Sequence, residues 1–588
     1  MKLVTSTQMR ALEQRADAAG NSFAAMMERA GTLTAQAIQQ RFTVQNKRVL
    51  VLVGPGNNGG DGLVCARVLH DAGANVSLYV WRRVPALNDV NWDLCLERNI
   101  PLTRVEDDAD FSKLKAELAQ TDLIIDALLG AGVARPIEGT LKELLLTTRE
   151  ARKGTKGNEG NLLVLSPSLP LSPSLSLPLS LSPSLTIAID LPTGLNPDTG
   201  ALDPAALAAD MTVTFAFPKV GQFAFPGADA VGELIVADIG IPSAWANDIA
   251  LDVASADEIR ARLPKRPRSA NKGTFGKAML ACGSLNFTGA PVLAARAAGR
   301  VGAGLVTLAV PESVYPIVAA KIDEATFLPL PDKLGEWRPR GANELLAVLW
   351  DAAYDVLLVG CGLGQSESTG DFLVRLLEHF NTLERAPALV LDADALNLLS
   401  GLDEWWTRLA FPAPPILTPH PGEMARLLGK TTAEVQHDRV NIARDAARQW
   451  NAIVLLKGAF TVIAAPDGRV TLLPFANPAL ASAGTGDVLA GTIAGILAQY
   501  VAAGKREASN VMGEASNVTR ETSNVKREAA RPESSEGSNM MRDMFNATVV
   551  GAYIHALAGE IAARDIGDAG VVAGDLLPRL PKAIKRLK

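Results

Sequence analysis

Gly484-Thr485-Gly486-Asp487 stands at the head of an apolar, helix-periodic run inside NPALASAGTGDVLAGTIAGI (477 to 496). Small residues opening a helix leave backbone N–H groups free, and those amides together with the positive end of the helix dipole favour an anion such as a phosphate. A carboxylate at 487 is stabilised in its charged form there and can take a proton from a substrate hydroxyl beside that phosphate. Taken alone, the pattern reads equally as a first-turn aspartate with glycines chosen for close packing.

Three further segments place polar groups after apolar runs: GPGNNGGDG (54 to 62), DALLGAGVARP (126 to 136) and TIAIDLPTG (186 to 194). Glycines in the first permit close approach to a phosphate, and Asn57 and Asn58 offer amide oxygens suited to a hard cation or a ligand hydroxyl. It is neither the GxGxxG fingerprint nor a Walker loop, since asparagines fill its middle and no lysine follows. Asp126 and Asp190 would each pass singly as structural caps. Three such segments at strand ends of one sheet point to a site.

The elements that must position them alternate in type. RVLVLVG reads as a buried strand, GPGNNGGDG as a loop, LVCARVLHDAG as a helix and NVSLYVW as the next strand. This alternation predicts a parallel sheet with helices on both faces and ligands at the carboxyl ends of the strands. In the second half, LLVGCGLG ends another strand in glycines, and ALVLDADALN places Asp392 and Asp394 after a strand, Asp394 being expected to cap the following helix. His420 lies between two prolines before a helix, Lys457 follows the run IVLL, and His555 reads as a packed rather than catalytic residue.

NKGTFGKAMLACGS, GAGLVTLAVP, VGCGLG, LDADALN, LTPHPGEMARLLG, LLKGAFTVI and the GTGD turn, in that order, resemble the ribokinase-like superfamily, in its nicotinamide-nucleotide-hydrate dehydratase branch. The resemblance implies nucleotide binding by Lys457, Gly458, Ala459, Phe460, Thr461 and Gly486. It implies hydrated-cofactor contacts from Ala290, Gly364, His420 and Asp487, with Asp487 as catalytic base. The three earlier segments resemble the NAD(P)H-hydrate epimerase domain. That implies substrate contacts from Asn57, Asn58, Gly59, Gly60 and Asp61, and from Gly130, Ala131, Gly132, Val133, Ala134, Arg135 and Pro136. It also implies Asp190 as substrate-binding acid/base group and a potassium ion held by Asn58, Asp126 and Thr193. FPKVGQF (217 to 223) matches as well, with Lys219 near the ligand edge of the sheet.

At 588 residues the chain is too long for one ordinary domain. Apolar residues at 48% supply ample core, and a net charge of -6 without a basic stripe argues against nucleic acid or an anionic membrane as principal partner. Cys65, Cys95, Cys282 and Cys361 are scattered and read as small buried hydrophobes in a reducing compartment. The first residues lack an apolar leader and read as a Thr-capped amphipathic helix, so the cytoplasm is the expected location.

The expected organisation is α/β throughout: a Rossmann-like three-layer epimerase domain (1–245), a linker (246–270) and a ribokinase-like α/β domain (271–588). A Pro/Ser/Leu repeat interrupts the first domain (151–185), its prolines forbidding a spanning helix, and SNV repeats with charged spacers interrupt the second (504–540) as an expected disordered loop. The implied function is repair of hydrated nicotinamide cofactors. The first domain would interconvert R and S hydrates, NADHX and NADPHX, with potassium, and the second would dehydrate the S form with ADP and magnesium. A homo-oligomer is expected. The alternatives are a ribokinase-like kinase of a vitamin or sugar alcohol, for which the GTGD turn would serve equally, and a non-catalytic first domain.

Overall fold

In a computed structural model, residues 1–84, 89–131, 136–155, 184–521 and 533–588 are described. The chain divides into two compact units, Met1–Val253 and Ala254–Lys588.

The first unit is built on a parallel sheet of β1 (Arg48–Val53), β2 (Asn75–Val80), β3 (Leu102–Arg104), β4 (Leu123–Ala127), β5 (Leu185–Ile189), β6 (Met211–Phe215) and β7 (Glu233–Ala237), in the order β3-β2-β1-β4-β5-β6-β7. Side chains alternate across a strand. Val49, Val51 and Val53 enter one core with the helices Ser6–Ala18, Phe23–Arg41 and Asn57–Asp71, while Leu50 and Leu52 enter the other with Leu114, Leu141, Leu144 and Leu145. Both faces are covered, which is why β1 is an unbroken apolar run rather than an alternating one. The strand order reverses between β1 and β4, so a crevice opens where their loops diverge. Gly54 is required there, since a Cβ would sit 1.8 Å from the Leu128 carbonyl oxygen.

The second unit carries β8 (Lys277–Ala281), β9 (Leu305–Pro311), β10 (Thr326–Leu330), β11 (Val356–Val359), β12 (Ala388–Leu391), β13 (Ile416–Leu417), β14 (Ile453–Leu456), β15 (Val462–Ala464) and β16 (Val470–Leu472), in the order β10-β9-β8-β11-β12-β13-β14-β15-β16. Pairing is parallel as far as β14 and antiparallel through β15 and β16. Here the order reverses between β8 and β11. The expectation of α/β architecture is met in both units.

Four expectations are corrected. GPGNNGGDG is not a loop throughout: the helix starts at Asn57, so Asn57 to Asp61 form its first turns, because a helix N-terminus tolerates asparagine and glycine where free amides face a ligand. The segment 504–540 is not a disordered loop over its described part. Helices run Thr485–Glu521 and Glu533–Ile566, in keeping with its Ala, Glu, Lys and Arg content, and 522–532 lie outside the described residues. The stretch 246–270, expected as a linker, contains the helix Ala256–Arg262, closed by a capping box from Ser255 and Glu258. Asp394 does not cap its helix; Ala393 occupies that position, and the Asp394 carboxylate accepts from Gly364 N at 2.8 Å and from Gln365 Nε2 at 2.7 Å.

Candidate active sites

In the first unit, polar groups gather at the carboxyl ends of β1, β4 and β5. Asp126, at the end of β4, is wholly buried; it accepts Thr193 N at 2.8 Å, Thr193 Oγ1 at 2.7 Å and Leu128 N at 3.3 Å. Burial outweighs these donors and pushes its carboxyl up to about 6. Thr193 Oγ1 also accepts Leu129 N at 3.1 Å. Asn58 is 6% exposed, and both polar atoms of its side chain are buried without a hydrogen-bond partner. A Cβ on Gly130 would lie 3.5 Å from Asn58 Oδ1, so the Gly130 backbone approaches this amide closely. An orphaned buried amide beside a buried carboxylate and a threonine hydroxyl is a hard-oxygen donor set that fits a monovalent cation such as potassium. The geometry brings Asn58, Asp126, Thr193 and Gly130 together. Ala131 and Pro136 border the same β4 loop, and Gly132, Val133, Ala134 and Arg135 lie outside the described residues.

Asp190 follows β5 with φ +62, a left-handed conformation unusual for a non-glycine residue. Its Oδ1 meets Lys219 Nζ at 2.5 Å and Thr214 Oγ1 at 3.0 Å. Asp61 is 8% exposed, and its carboxylate has no hydrogen-bond partner among the described residues. Burial, then the charges of Asp190 and Glu13, hold its carboxyl well above the ordinary range. Glu13, raised mainly by burial, comes from the Ser6–Ala18 helix. Sequence reasoning missed Glu13 because nothing in an N-terminal amphipathic helix marks one acidic residue as facing a sheet edge. Asp61, expected to contact substrate, is thereby shifted toward its neutral form, in which a carboxyl can donate a hydrogen bond.

The second unit concentrates its groups beyond β8, β11, β12, β13 and β14. Asp487 lies in the first turn of the Thr485–Glu521 helix, and a Cβ on Gly484 (φ +86) would sit 3.8 Å from Asp487 Oδ2. Burial, then the neighbouring charge of Asp392, pushes the Asp487 carboxyl up to about 7, opposed by the Cys361 thiol and Lys457. The expectation that helix position alone holds Asp487 firmly ionised is thus corrected: desolvation wins, which leaves the group titrating near neutrality. Cys361 Sγ and carboxylate oxygens of Asp392 and Asp487 all lie within 4.8 Å of one another.

Lys457 is held among carboxylates. Its Nζ lies 2.8 Å from Asp392 Oδ1 and 3.6 Å from Glu423 Oε2, and a Cβ on Gly486 would lie 3.7 Å from it. Burial works to lower its pKa, and the two carboxylates outweigh it and raise it. Asp392 also accepts Thr418 Oγ1 at 2.6 Å. The role of Asp392, Glu423 and Thr418 as a frame for Lys457 was not legible; the signal available was only that Asp392 ends a strand.

His420 caps the Pro421–Leu428 helix, Nδ1 accepting Gly422 N at 3.0 Å and Glu423 N at 3.3 Å, while Nε2 lies 3.3 Å from Glu423 Oε1. Burial, then Lys457, lowers its pKa. An accepting Nδ1 places the proton on Nε2, so the ring presents a donor. Gly364 (φ +82) is tied to Asp394 beside Ser284, and Ala290, 8% exposed, opens its helix against the Gly362 turn. Phe460 is 2% exposed with φ +51, so its ring packs inward, while Gly458 and Ala459 are exposed. His555 is buried, as expected, with Nε2 3.0 Å from the Thr485 carbonyl.

The Thr485–Arg506 stretch is apolar enough to cross a membrane by length and composition, but 72% of its most apolar window is buried in the protein.

Residues 278–535 match the family model described as NAD(P)H-hydrate dehydratase, and residues 23–221 match that of the YjeF-related protein N-terminus. The chain is 35% identical to the bifunctional NAD(P)H-hydrate repair enzyme Nnr of Moorella thermoacetica, covering 100% of this chain and 97% of that one. It is 32% identical to the enzyme of the same name from Thermofilum pendens, again over 100% and 97%. Among solved structures, the ADP/ATP-dependent NAD(P)H-hydrate dehydratase of Bacillus subtilis, co-crystallised with ATP and Mg2+, is 28% identical, covers 57% of this chain and 99% of its own, and has a TM-score of 0.43.

Proposed function

The chain belongs to the family of bifunctional NAD(P)H-hydrate repair enzymes, and from that premise we propose how its two sites divide the work. The first unit interconverts the R and S hydrates of NADH and NADPH. The second converts the S hydrate to the dihydronicotinamide, with ADP as phosphoryl donor yielding AMP and phosphate.

Epimerisation acts on a hydroxyl-bearing carbon bonded to the ring nitrogen. Its inversion requires that the hydroxyl be deprotonated or protonated while that carbon's bonds are remade. Asp190 Oδ2, without a hydrogen-bond partner among the described residues, is the group placed to exchange the proton, and Asp61, whose carboxyl burial pushes up, supplies a second carboxyl at the same edge. Asn58, Asp126 and Thr193 would hold the potassium ion, which supplies fixed positive charge beside the bound phosphates.

In the second unit Asp487 accepts the proton of the substrate hydroxyl as it attacks the terminal phosphoryl group, while the amides of the turn at 484–487 and the ammonium of Lys457 stabilise charge on the transferring group. Departure of that phosphate from the carbon beside the ring nitrogen, with loss of a proton from the adjacent ring carbon, then forms the ring double bond and restores the dihydropyridine. The oxygens of Asp392 and Asp487 could serve a magnesium ion that arrives with the nucleotide, whereas the Cys361 thiol is a poor ligand for it. Magnesium supplies neutralisation of phosphate charge. The backbone of Gly458, Ala459, Phe460 and Thr461 binds the nucleotide, and Ala290, Gly364 and His420 line the hydrate pocket.

The observation carrying this reading is Asp487, a carboxylate with a pKa near 7 at a glycine-flanked helix start with Lys457 beside it. The test follows recovery of dihydronicotinamide absorbance from mixed hydrate epimers with ADP or ATP and magnesium. Wild type recovers the whole mixture, Asp190→Asn stalls after the S fraction, and Asp487→Asn recovers none. No recovery by folded wild type with either nucleotide refutes the assignment.

A further inference from the structure

Lys219 is 1% exposed, and a buried ammonium is costly unless its charge and its N–H groups are matched. All three of its donors are used: Asp190 Oδ1 at 2.5 Å, Thr214 Oγ1 at 2.9 Å and the Phe215 carbonyl at 3.4 Å. Thr214 Oγ1 in turn donates to Asp190 Oδ1 at 3.0 Å, so cation, hydroxyl and carboxylate close a triangle on one carboxylate oxygen. The other oxygen of Asp190 is left unengaged among the described residues.

The lysine is itself fixed from both sides. Its backbone N–H donates to Gln222 Oε1 at 2.8 Å, and Gln222 Nε2 donates to the Asp190 carbonyl at 3.0 Å, which pins the left-handed backbone at Asp190 to the same turn. The segment before the first helix holds the lysine's flanks: Val4 N donates to the Pro218 carbonyl at 3.0 Å, and Val220 N to the Val4 carbonyl at 3.1 Å. A strained aspartate, a fully satisfied buried lysine and a two-sided brace are more than packing of an apolar edge requires, because an apolar side chain would fill the slot without the desolvation.

We propose that Lys219 is the positioning residue of the epimerisation site, orienting Asp190 through Oδ1 so that Oδ2 faces substrate and supplying the positive charge that keeps Asp190 competent as a base. The proposal rests on Asp190 being the acid/base group. The charges facing this edge are otherwise mixed: Asp61 and Glu13 disfavour a further negative charge, and Arg83 and Arg10 partly offset them. Lys219 alone among these cations touches Asp190. Without it, Asp190 loses the ammonium that contacts its Oδ1 and balances its charge.

The test uses the full-length protein and follows R-to-S interconversion chromatographically across pH, with dehydration of pure S hydrate by the same preparation as an internal control of folding and concentration. For Lys219→Met the expected result is a fall in epimerisation kcat of about a hundredfold. KM is little changed, the acid limb moves toward higher pH, and dehydration is at the parental rate. Should Lys219→Met fail to fold, Thr214→Val removes the bridging hydroxyl and is expected to lower kcat about tenfold with the limb moved in the same direction. A parental pH profile in whichever variant folds overturns the proposal, as does a loss of epimerisation that tracks lowered thermal stability with the limb unmoved. Asp190→Asn separates the premises: full epimerisation by that variant refutes the reading of Asp190, whereas an inactive Asp190→Asn beside a normal Lys219→Met refutes only the role of Lys219.

Discussion

His555 donates its Nε2–H to the backbone carbonyl of Thr485 at 3.0 Å across a sequence separation of 70 residues. Because a carbonyl only accepts, the imidazole must carry its proton on Nε2, and burial holds it neutral by pushing its pKa down to about 4. The histidine thereby anchors the first residue of the helix that presents Asp487.

His555→Phe is expected to leave that carbonyl without a partner and to cost about 1–3 kcal/mol, read as a lower urea midpoint for the second unit, with slower dehydration. A histidine depressed in the folded state is stabilising in full above its unfolded pKa of about 6.5. That contribution is lost as pH falls from there to about 4, because the unfolded chain binds the proton first. The difference amounts to about 3 kcal/mol. Urea unfolding at several pH values across this window checks the slope, which His555→Phe removes.

Asp487, raised to about 7, must lose its proton to act as a base, so dehydration is expected to rise with pH through about 7 and level off above it. Asp392→Asn removes the neighbouring negative charge, and the limb moves to lower pH in single-turnover assays with S hydrate. Asp487→Asn lowers kcat by about two to four orders of magnitude.

Asn58 spends neither polar atom on the protein, and Asp126 is buried without a cation partner among the described residues. Exchange of potassium for lithium is therefore expected to slow epimerisation and lower the melting temperature of the first unit. Asn58→Ala makes both readings insensitive to the exchange. Equal responses of wild type and Asn58→Ala would refute this cation site.

The helix Gly139–Thr155 leads, through residues 156–183, to the start of β5 at Leu185, whereas Asp190 follows the opposite end of that strand. Replacing 156–183 with a short Gly/Ser connection is expected to preserve both epimerisation and dehydration, since the amino edge of a parallel sheet lies away from its ligands. Loss of epimerisation in a folded deletion variant would contradict this.

That GPGNNGGDG, Asp126, Asp190 and the GTGD turn fall at strand ends or helix starts was legible from the sequence, because glycines, asparagines and aspartates bordering apolar runs are local signals. The α/β architecture was legible for the same reason, as apolar periodicity is written residue by residue. The partnerships were not. That Lys219 closes on Asp190 across 29 residues, that Lys457 is clasped by Asp392 and Glu423, and that Asp487 titrates near 7 rather than as an ordinary carboxylate depend on desolvation and on charges from separate strands. Strand order brings such groups together and burial decides their protonation, and neither is a property of any one stretch of chain. The segment at 504–540 shows the converse: repetition and low apolar content suggest a loop, while helix propensity over its described part extends the two helices it joins.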